Sequence, residues 1–322
     1  MSAAAPPLRP TDVTAAAAEL QRAAAAIGQA VLGHPEVVRL LLAAMVARGH
    51  ILLEDVPGVG KTTLARACAQ IMGCGFARLQ FTADMLPSDV LGVQILDPQT
   101  GRLQFKKGPI FADMVLADEI NRASPKTQSA MLEAMAEGRI SIDDQTYSLP
   151  PTFCVLATQN PVEHHGAYPL PESQLDRFMV RLAVGYPPPE AELQLLLGRP
   201  GGDAAIEALP QIFDPTRLQA LQALCSRVQL SPAVGQYLLD LVRATRTHRD
   251  VLLGCSPRGA LALAQIARAW ALLDGRDFVL PDDIKALAVP TLGHRLMLQQ
   301  AEGGTAARQL IGSLLDDLVV PR

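Results

Sequence analysis

Asp55-Val-Pro-Gly-Val-Gly-Lys-Thr62 lies between a short apolar run, Ile51 to Leu53, and an Ala/Leu-rich stretch of helical spacing. A strand, a glycine-rich loop and a helix in that order predict a phosphate-binding loop. Gly58 and Gly60 let the backbone curl around a polyphosphate, so that successive N–H groups and the positive end of the following helix face the anion. Lys61 places a point charge at the β- and γ-phosphates, and Thr62 offers a hydroxyl to Mg²⁺. With Pro57, Val59 and Thr63 these residues make up the expected site for a nucleoside triphosphate. One position departs from the usual spacing, since Asp55 stands where a first glycine is common.

Working outward, residues 35 to 184 alternate helix and strand, which predicts a parallel sheet with helices on both faces. Helical spacing covers Pro35 to Arg48 and Lys61 to Met72, with strands at Ile51 to Leu53 and Ala77 to Phe81. Met114 to Ala117 is wholly apolar and ends in Asp118-Glu119, as a central buried strand delivering acids to its carboxyl edge would. Ser124 and Pro125 open a helix to about Glu137. Phe153 to Ala157 and Phe178 to Leu182 complete the strands. Two insertions are expected: a hairpin between Asp84 and Ile110, bounded by Pro87, Gly101 and Gly108-Pro109, and a second at Gly138 to Leu149 turning at Asp143-Asp144.

After Pro187-Pro-Pro189 only helical periodicity is read, at Glu190 to Leu197, Asp214 to Val228, Pro232 to Arg249, Pro257 to Leu273 and from Pro281 onward, with a loop over 198–209. The expected domains are therefore a disordered tail over 1–10, an α/β nucleotide-binding core over 11–186 and an all-helical lid over 187–322. Thr11 is the expected cap of a first Ala-rich helix.

The chain has 322 residues, 49% hydrophobic and 19% charged, with a net charge of −4. That balance gives no basic field to draw it to nucleic acid or an acidic membrane, and Lys106-Lys107 is too small a basic pair to argue for a DNA groove. No run approaches the about 20 apolar residues that span a bilayer, and Met1 to Pro10 has no basic segment ahead of an apolar stretch. A cytoplasmic protein without membrane insertion is expected. Cys68, Cys74, Cys154, Cys225 and Cys255 lie in apolar surroundings without metal-ligand spacing and are read as core residues in a reduced compartment. His164 and His165 are adjacent, with no acid or cysteine motif to complete a ligand set, so they are read as loop residues.

Asp118 and Glu119 supply what transfer of a phosphoryl group to water still lacks. Asp118 is suited to hold Mg²⁺ through water and Glu119 to orient or deprotonate the attacking water. Asn160, in Ala157-Thr-Gln-Asn-Pro161, falls at the same sheet edge, where an amide can bond both the γ-phosphate and the water.

Lys61-Thr62, Asp118-Glu-Ile-Asn-Arg-Ala123, Lys126-Thr-Gln-Ser129, Ala157-Thr-Gln-Asn-Pro161, Tyr168-Pro-Leu-Pro-Glu172, Gln174-Leu-Asp-Arg-Phe178 and Cys255-Ser-Pro-Arg258 together resemble the MoxR family of AAA+ ATPases, from about Ile27 to Ile311. Tyr168 to Phe178 is the most specific of these runs, and the departures are Asp55 and His34, where Gln is common after Gly33. The resemblance implies an AAA+ core with two inserted hairpins, a helical lid, ATP and Mg²⁺ as ligands, and a homo-oligomer, hexameric in form. It also implies chaperone-like maturation or metal insertion in a partner complex, alongside a von Willebrand factor A domain protein and a protein client.

By the same resemblance Arg177 matches an arginine finger that reaches a neighbour's γ-phosphate, and Arg258 a second-sensor arginine acting in its own subunit or the next. For Arg177 an intramolecular pair with Asp176 or Glu172 is the alternative. Arg122 fits either a subunit interface or plain surface, and Val31 and Gly33 either the adenine pocket or an ordinary turn. Two other function classes stay open: an ATP-dependent scaffold with little turnover, and a DNA-acting ring.

Overall fold

The computed structural model describes residues 8–56, 58–99, 101–142, 145–160, 168–197, 203–299 and 304–321. Pro57, Asp143, Asp144, Pro161, His164 and His165, on which expectations fell, lie outside the described residues.

Five strands form one parallel sheet in the order Phe76–Gln80, Met114–Asp118, Cys154–Gln159, Ile51–Glu54, Val180–Leu182. Because side chains alternate along a strand, each apolar run feeds two cores. Ile51, Leu53, Met114, Leu116, Leu156, Val180 and Leu182 face one, shared with the helices Pro10–Ala30, Pro35–Val46, Lys61–Met72 and the C-terminal helices. Leu52, Val115, Ala117, Val155 and Ala157 face the other, with Met131, Leu132 and Met135 of the Pro125–Glu137 helix.

Both insertions are hairpins. Gly92–Leu96 pairs antiparallel with Leu103–Lys107 directly after the short Pro87–Leu91 helix, and Arg139–Ile142 pairs with Gln145–Ser148. An aromatic contact joins them: the Phe105 and Tyr147 rings lie 4.5 Å apart, with Phe111 5.9 Å from Phe105. Beyond this clasp the tip of the first hairpin exposes Ile95 (43%), Leu96 (62%) and Leu103 (67%).

C-terminal to the sheet, helices run over Pro189–Leu196, Pro215–Cys225, Pro232–Thr247, Pro257–Leu273, Pro281–Leu292 and Gly304–Asp317. Asp214, Ser231 and Ser256 cap three of them, each side chain accepting a backbone N–H two positions beyond the proline that opens the helix. Three expectations need correction. Leu8 is buried and the first helix starts at Pro10, capped at Arg9 rather than Thr11, because its Val13, Ala16, Leu20 and Ile27 stripe is drawn into the main core. The loop over 198–209 contains the helix Asp203–Glu207, held against the Lys61–Met72 helix. The helical part also holds two short strands, Val251–Leu253 and Met297–Leu298, paired antiparallel across a long sequence separation.

Just before the first sheet strand, His50 joins three elements. Its Nδ1 accepts the Val155 N–H at 3.0 Å and its Nε2 bonds the Met135 carbonyl at 3.1 Å, which fixes the neutral tautomer with the proton on Nε2. Burial pushes its pKa down from 6.5 to about 4. A folded-state pKa below the unfolded one contributes stability that is present above pH 6.5 and lost as pH falls towards 4, here about 3 kcal/mol between those limits. Unfolding free energies measured by urea titration at pH 7 and pH 4.5 should therefore differ less for His50→Gln than for the wild type. Equal losses in the two proteins would contradict this role.

Candidate active site

Three neighbouring strands, Ile51–Glu54, Met114–Asp118 and Cys154–Gln159, deliver the predicted residues to one sheet edge. Gly58 and Gly60 take left-handed conformations, φ +87° and +86°, and a Cβ on either would meet no atom within 4 Å. The loop thus leaves room in front of the Lys61–Met72 helix N-terminus, and the oxygen and nitrogen donors around it suit a polyphosphate with Mg²⁺. The Lys61 ammonium donates to the Asp55 carbonyl at 2.8 Å. Burial lowers the Lys61 pKa, against the pull of Asp55, Asp118 and Glu119.

Asp55 is used structurally. Its carboxylate accepts the Val56 N–H at 2.8 Å and the Gly185 N–H, tying the start of the loop to the chain after the last strand. Gly33 (φ +87°) packs where a Cβ would come within 2.4 Å of Pro188 Cδ, and Val31 is buried beside it. Gly33 therefore packs against the triple proline and Ala191, which accounts for the glycine without reference to adenine.

Asp118 is buried and doubly held. The Thr158 hydroxyl donates to its Oδ1 at 2.6 Å and Arg78 Nη2 to its Oδ2 at 2.7 Å. The Thr158 hydroxyl also accepts the Glu119 N–H at 2.9 Å. Glu119 has φ +57°, a left-handed conformation that costs a non-glycine residue about 1 kcal/mol or more and clusters at functional sites. Its Oε2 accepts from Gln80 Nε2 at 3.0 Å and lies 3.3 Å from Arg122 Nη1. Asn160, also buried, follows Gln159 at the same edge. Behind the acids, Gln128 Nε2 is shared among the carbonyls of Ile120, Ala123 and Tyr168 at 3.0–3.2 Å.

Arg78, Gln80, Thr158 and Gln128 are contacts that the sequence reading missed. Thr158 carried a usable signal as a hydroxyl directly after the apolar run Phe153 to Ala157. Arg78 and Gln80 carried a weaker one, two polar residues on one face of a short strand.

Arg177 and Arg258 sit elsewhere. Both line a cavity of about 420 Å³ with Arg48, Asp176, Arg268 and Arg295, and among the described residues none of the phosphate loop borders it. Arg177 pairs with neither Asp176 nor Glu172; its Nη1 donates to the Leu132 carbonyl, and its buried Nε has no partner among the described residues. Arg258 is exposed, in the first turn of the Pro257–Leu273 helix.

Comparison with known proteins agrees with this architecture. Residues 50–180 match the ATPase family associated with various cellular activities (AAA), and residues 243–311 match the AAA lid domain. The Bacillus subtilis protein YeaC is 46% identical over 304 residues, covering 94% of this chain and 95% of that one. Chaperone MoxR1 of Mycobacterium tuberculosis is 39% identical, covering 91% and 80%. A crystal structure from Cytophaga hutchinsonii, 35% identical, aligns with a TM-score of 0.86 over 97% of this chain and 98% of that one. The chain belongs to the MoxR family of AAA+ ATPases.

Proposed function

We propose that this ATPase works as a hexameric cytoplasmic ring that remodels a client protein, with a core over 11–186, a lid over 187–322 and each nucleotide completed by the neighbouring subunit. The observation that carries the ring is the cavity shared by Arg177 and Arg258, which is lined by no described residue of their own phosphate loop. Two half-buried or exposed cations turned away from their own loop suit the phosphates held by the next copy of the chain. The name of the relative Chaperone MoxR1 supports the remodelling role. Maturation of, or metal insertion into, a partner complex, with a von Willebrand factor A domain protein at its side, is the client class that the family resemblance favours.

Pro57, Gly58, Val59, Gly60, Lys61, Thr62 and Thr63 would bind the phosphates of ATP, with Val31 and Gly33 near the base. Mg²⁺, held by Thr62 and by Asp118 through water, would offset phosphate charge when bound. Glu119 takes the proton of the attacking water, and the Asn160 amide keeps that water in line. Arg177 and Arg258 of the neighbour oppose charge on the transferred group, an effect that reaches about 10³ to 10⁵ in rate for arginine fingers. For Glu119 to act on water it must leave Gln80 and Arg122, so the contacts of this structure hold the base away from its task.

The aromatic clasp joins the two hairpins and would couple their movement, and the apolar tip of the first suits a transient grip on apolar client segments.

Glu119→Gln should keep ATP binding and lose at least about 10²-fold in turnover, the scale of a lost general base. Lys61→Ala should lose binding itself, as titration with a fluorescent ATP analogue would report. A wild-type turnover rate in Glu119→Gln contradicts the assignment, and a wild-type protein that binds ATP without turnover favours the scaffold. Replacing Leu96 and Leu103 together by Ser should leave basal ATPase activity in place, since surface loops tolerate change when no core pairing is removed. The same protein should lose partner-dependent stimulation; full stimulation would take the tip out of client contact.

A further inference from the structure

One carboxylate, Asp176, joins the end of the core to the C-terminal helices. The Arg295 side chain, 2% exposed, donates from Nε to Asp176 Oδ1 at 2.8 Å. Its Nη2 donates to the carbonyls of Asp176 at 3.2 Å and Phe178 at 2.6 Å, and its Nη1 to the carbonyls of Met179 at 3.2 Å and Thr291. From the other side the Ser256 hydroxyl donates to the same carboxylate, 3.1 Å from Oδ1 and 3.0 Å from Oδ2, while accepting the Gly259 N–H as the helix cap.

The positions of these anchors matter. Arg177 directly follows Asp176, and Arg258 lies in the turn that Ser256 caps. The carboxylate between Arg295 and Ser256 therefore ties together the backbone segments that carry the two arginines lining the cavity. The surroundings are shaped around Arg295: a Cβ at Gly259 would come within 2.7 Å of Arg295 Cδ and 2.6 Å of Cys255 Sγ. A buried ion pair is a poor device for stability, since apolar residues of equal volume often stabilise as well or better. Its directional hydrogen bonds instead fix geometry.

We infer that Arg295, acting through Asp176 and Ser256, is a positioning residue that holds Arg177 and Arg258 as one rigid pair directed at a neighbouring subunit's nucleotide. The inference rests on the ring reading above. Asp176 then has two tasks, spacing the arginines and neutralising Arg295, whose burial lowers its pKa against the pull of that carboxylate.

The test uses Arg295→Met and, as a milder variant that leaves the ion pair in place, Ser256→Ala, each as the full-length assembly. Arg295→Met should lose about 10²-fold in kcat, the scale of a reacting group misplaced by about 1 Å, and Ser256→Ala less. Affinity for a fluorescent ATP analogue should stay at the wild-type value in both, because the phosphate loop is untouched. Mixed with Glu119→Gln protein, each should exceed the summed activity of its parents, since some interfaces then pair an intact Glu119 with an intact arginine pair. A general folding defect would not be repaired this way. Ser256→Thr should recover most of the rate lost in Ser256→Ala.

The Arg177→Ala protein mixed with Glu119→Gln is the control for the ring. Rescue of Arg177→Ala with no rescue of Ser256→Ala, or wild-type kcat in Arg295→Met or Ser256→Ala, overturns the positioning role and leaves the ring standing. Failure to rescue Arg177→Ala despite demonstrated subunit exchange overturns both. If Arg295→Met does not fold, Ser256→Ala decides.

Discussion

Strands buried on both faces have no polar side to fix their register, so the pairing of Met114–Asp118 with Cys154–Gln159 needs another determinant. The Thr158 hydroxyl provides one, donating to the Asp118 carboxylate while accepting the Glu119 N–H. A slip of one residue would take the Thr158 donor from the buried carboxylate, leaving it Arg78 alone, and would strand the Glu119 N–H, at about 1–3 kcal/mol for each lost bond. The same hydroxyl sustains the left-handed turn at Glu119, which aims the two acids differently although they are adjacent in sequence. Strand register and the backbone turn at Glu119 thus share one hydroxyl.

The second organising element is the seam between sheet and C-terminal helices. The first helix, Pro10–Ala30, packs on the Lys61–Met72 and Pro257–Leu273 helices at once, so the main core runs continuously from nucleotide loop to lid. His50 bonds two elements of the core from inside, and Arg295 bonds core to lid. Both are polar groups buried in apolar surroundings, expensive unless satisfied, and each gives direction where leucine packing would give only cohesion. This arrangement ties the segments that carry Arg177 and Arg258 to the same core that bears the phosphate loop.

Local chemistry made much of this legible in the sequence. The phosphate loop, the five strands, the acids after Ala117 and both hairpins each have a signature within about ten residues, in turn formers, caps or apolar period. Contacts formed across the fold were not legible. Arg78 and Gln80 meet the acids through a neighbouring strand, Arg295 meets Asp176 from a distant helix end, and Val251–Leu253 finds its partner strand at Met297–Leu298. Asp55 shows the limit from the other side. Read against the loop motif it was a departure, yet its carboxylate fastens the loop to Gly185, a residue that no local pattern connects with it. The start of the first helix was misplaced for a related reason: Thr11 is the better cap, but burial of Leu8 and Val13 carries the helix back to Pro10.

The central claim is that each nucleotide is completed by the next subunit. Cryo-electron microscopy of the Glu119→Gln protein with Mg²⁺ and ATP tests it most directly. The account predicts closed rings in which Arg177 and Arg258 of one subunit lie within about 3 Å of phosphate oxygens held by Lys61 of its neighbour. Rings or monomers in which both arginines reach the phosphates of their own subunit would contradict it.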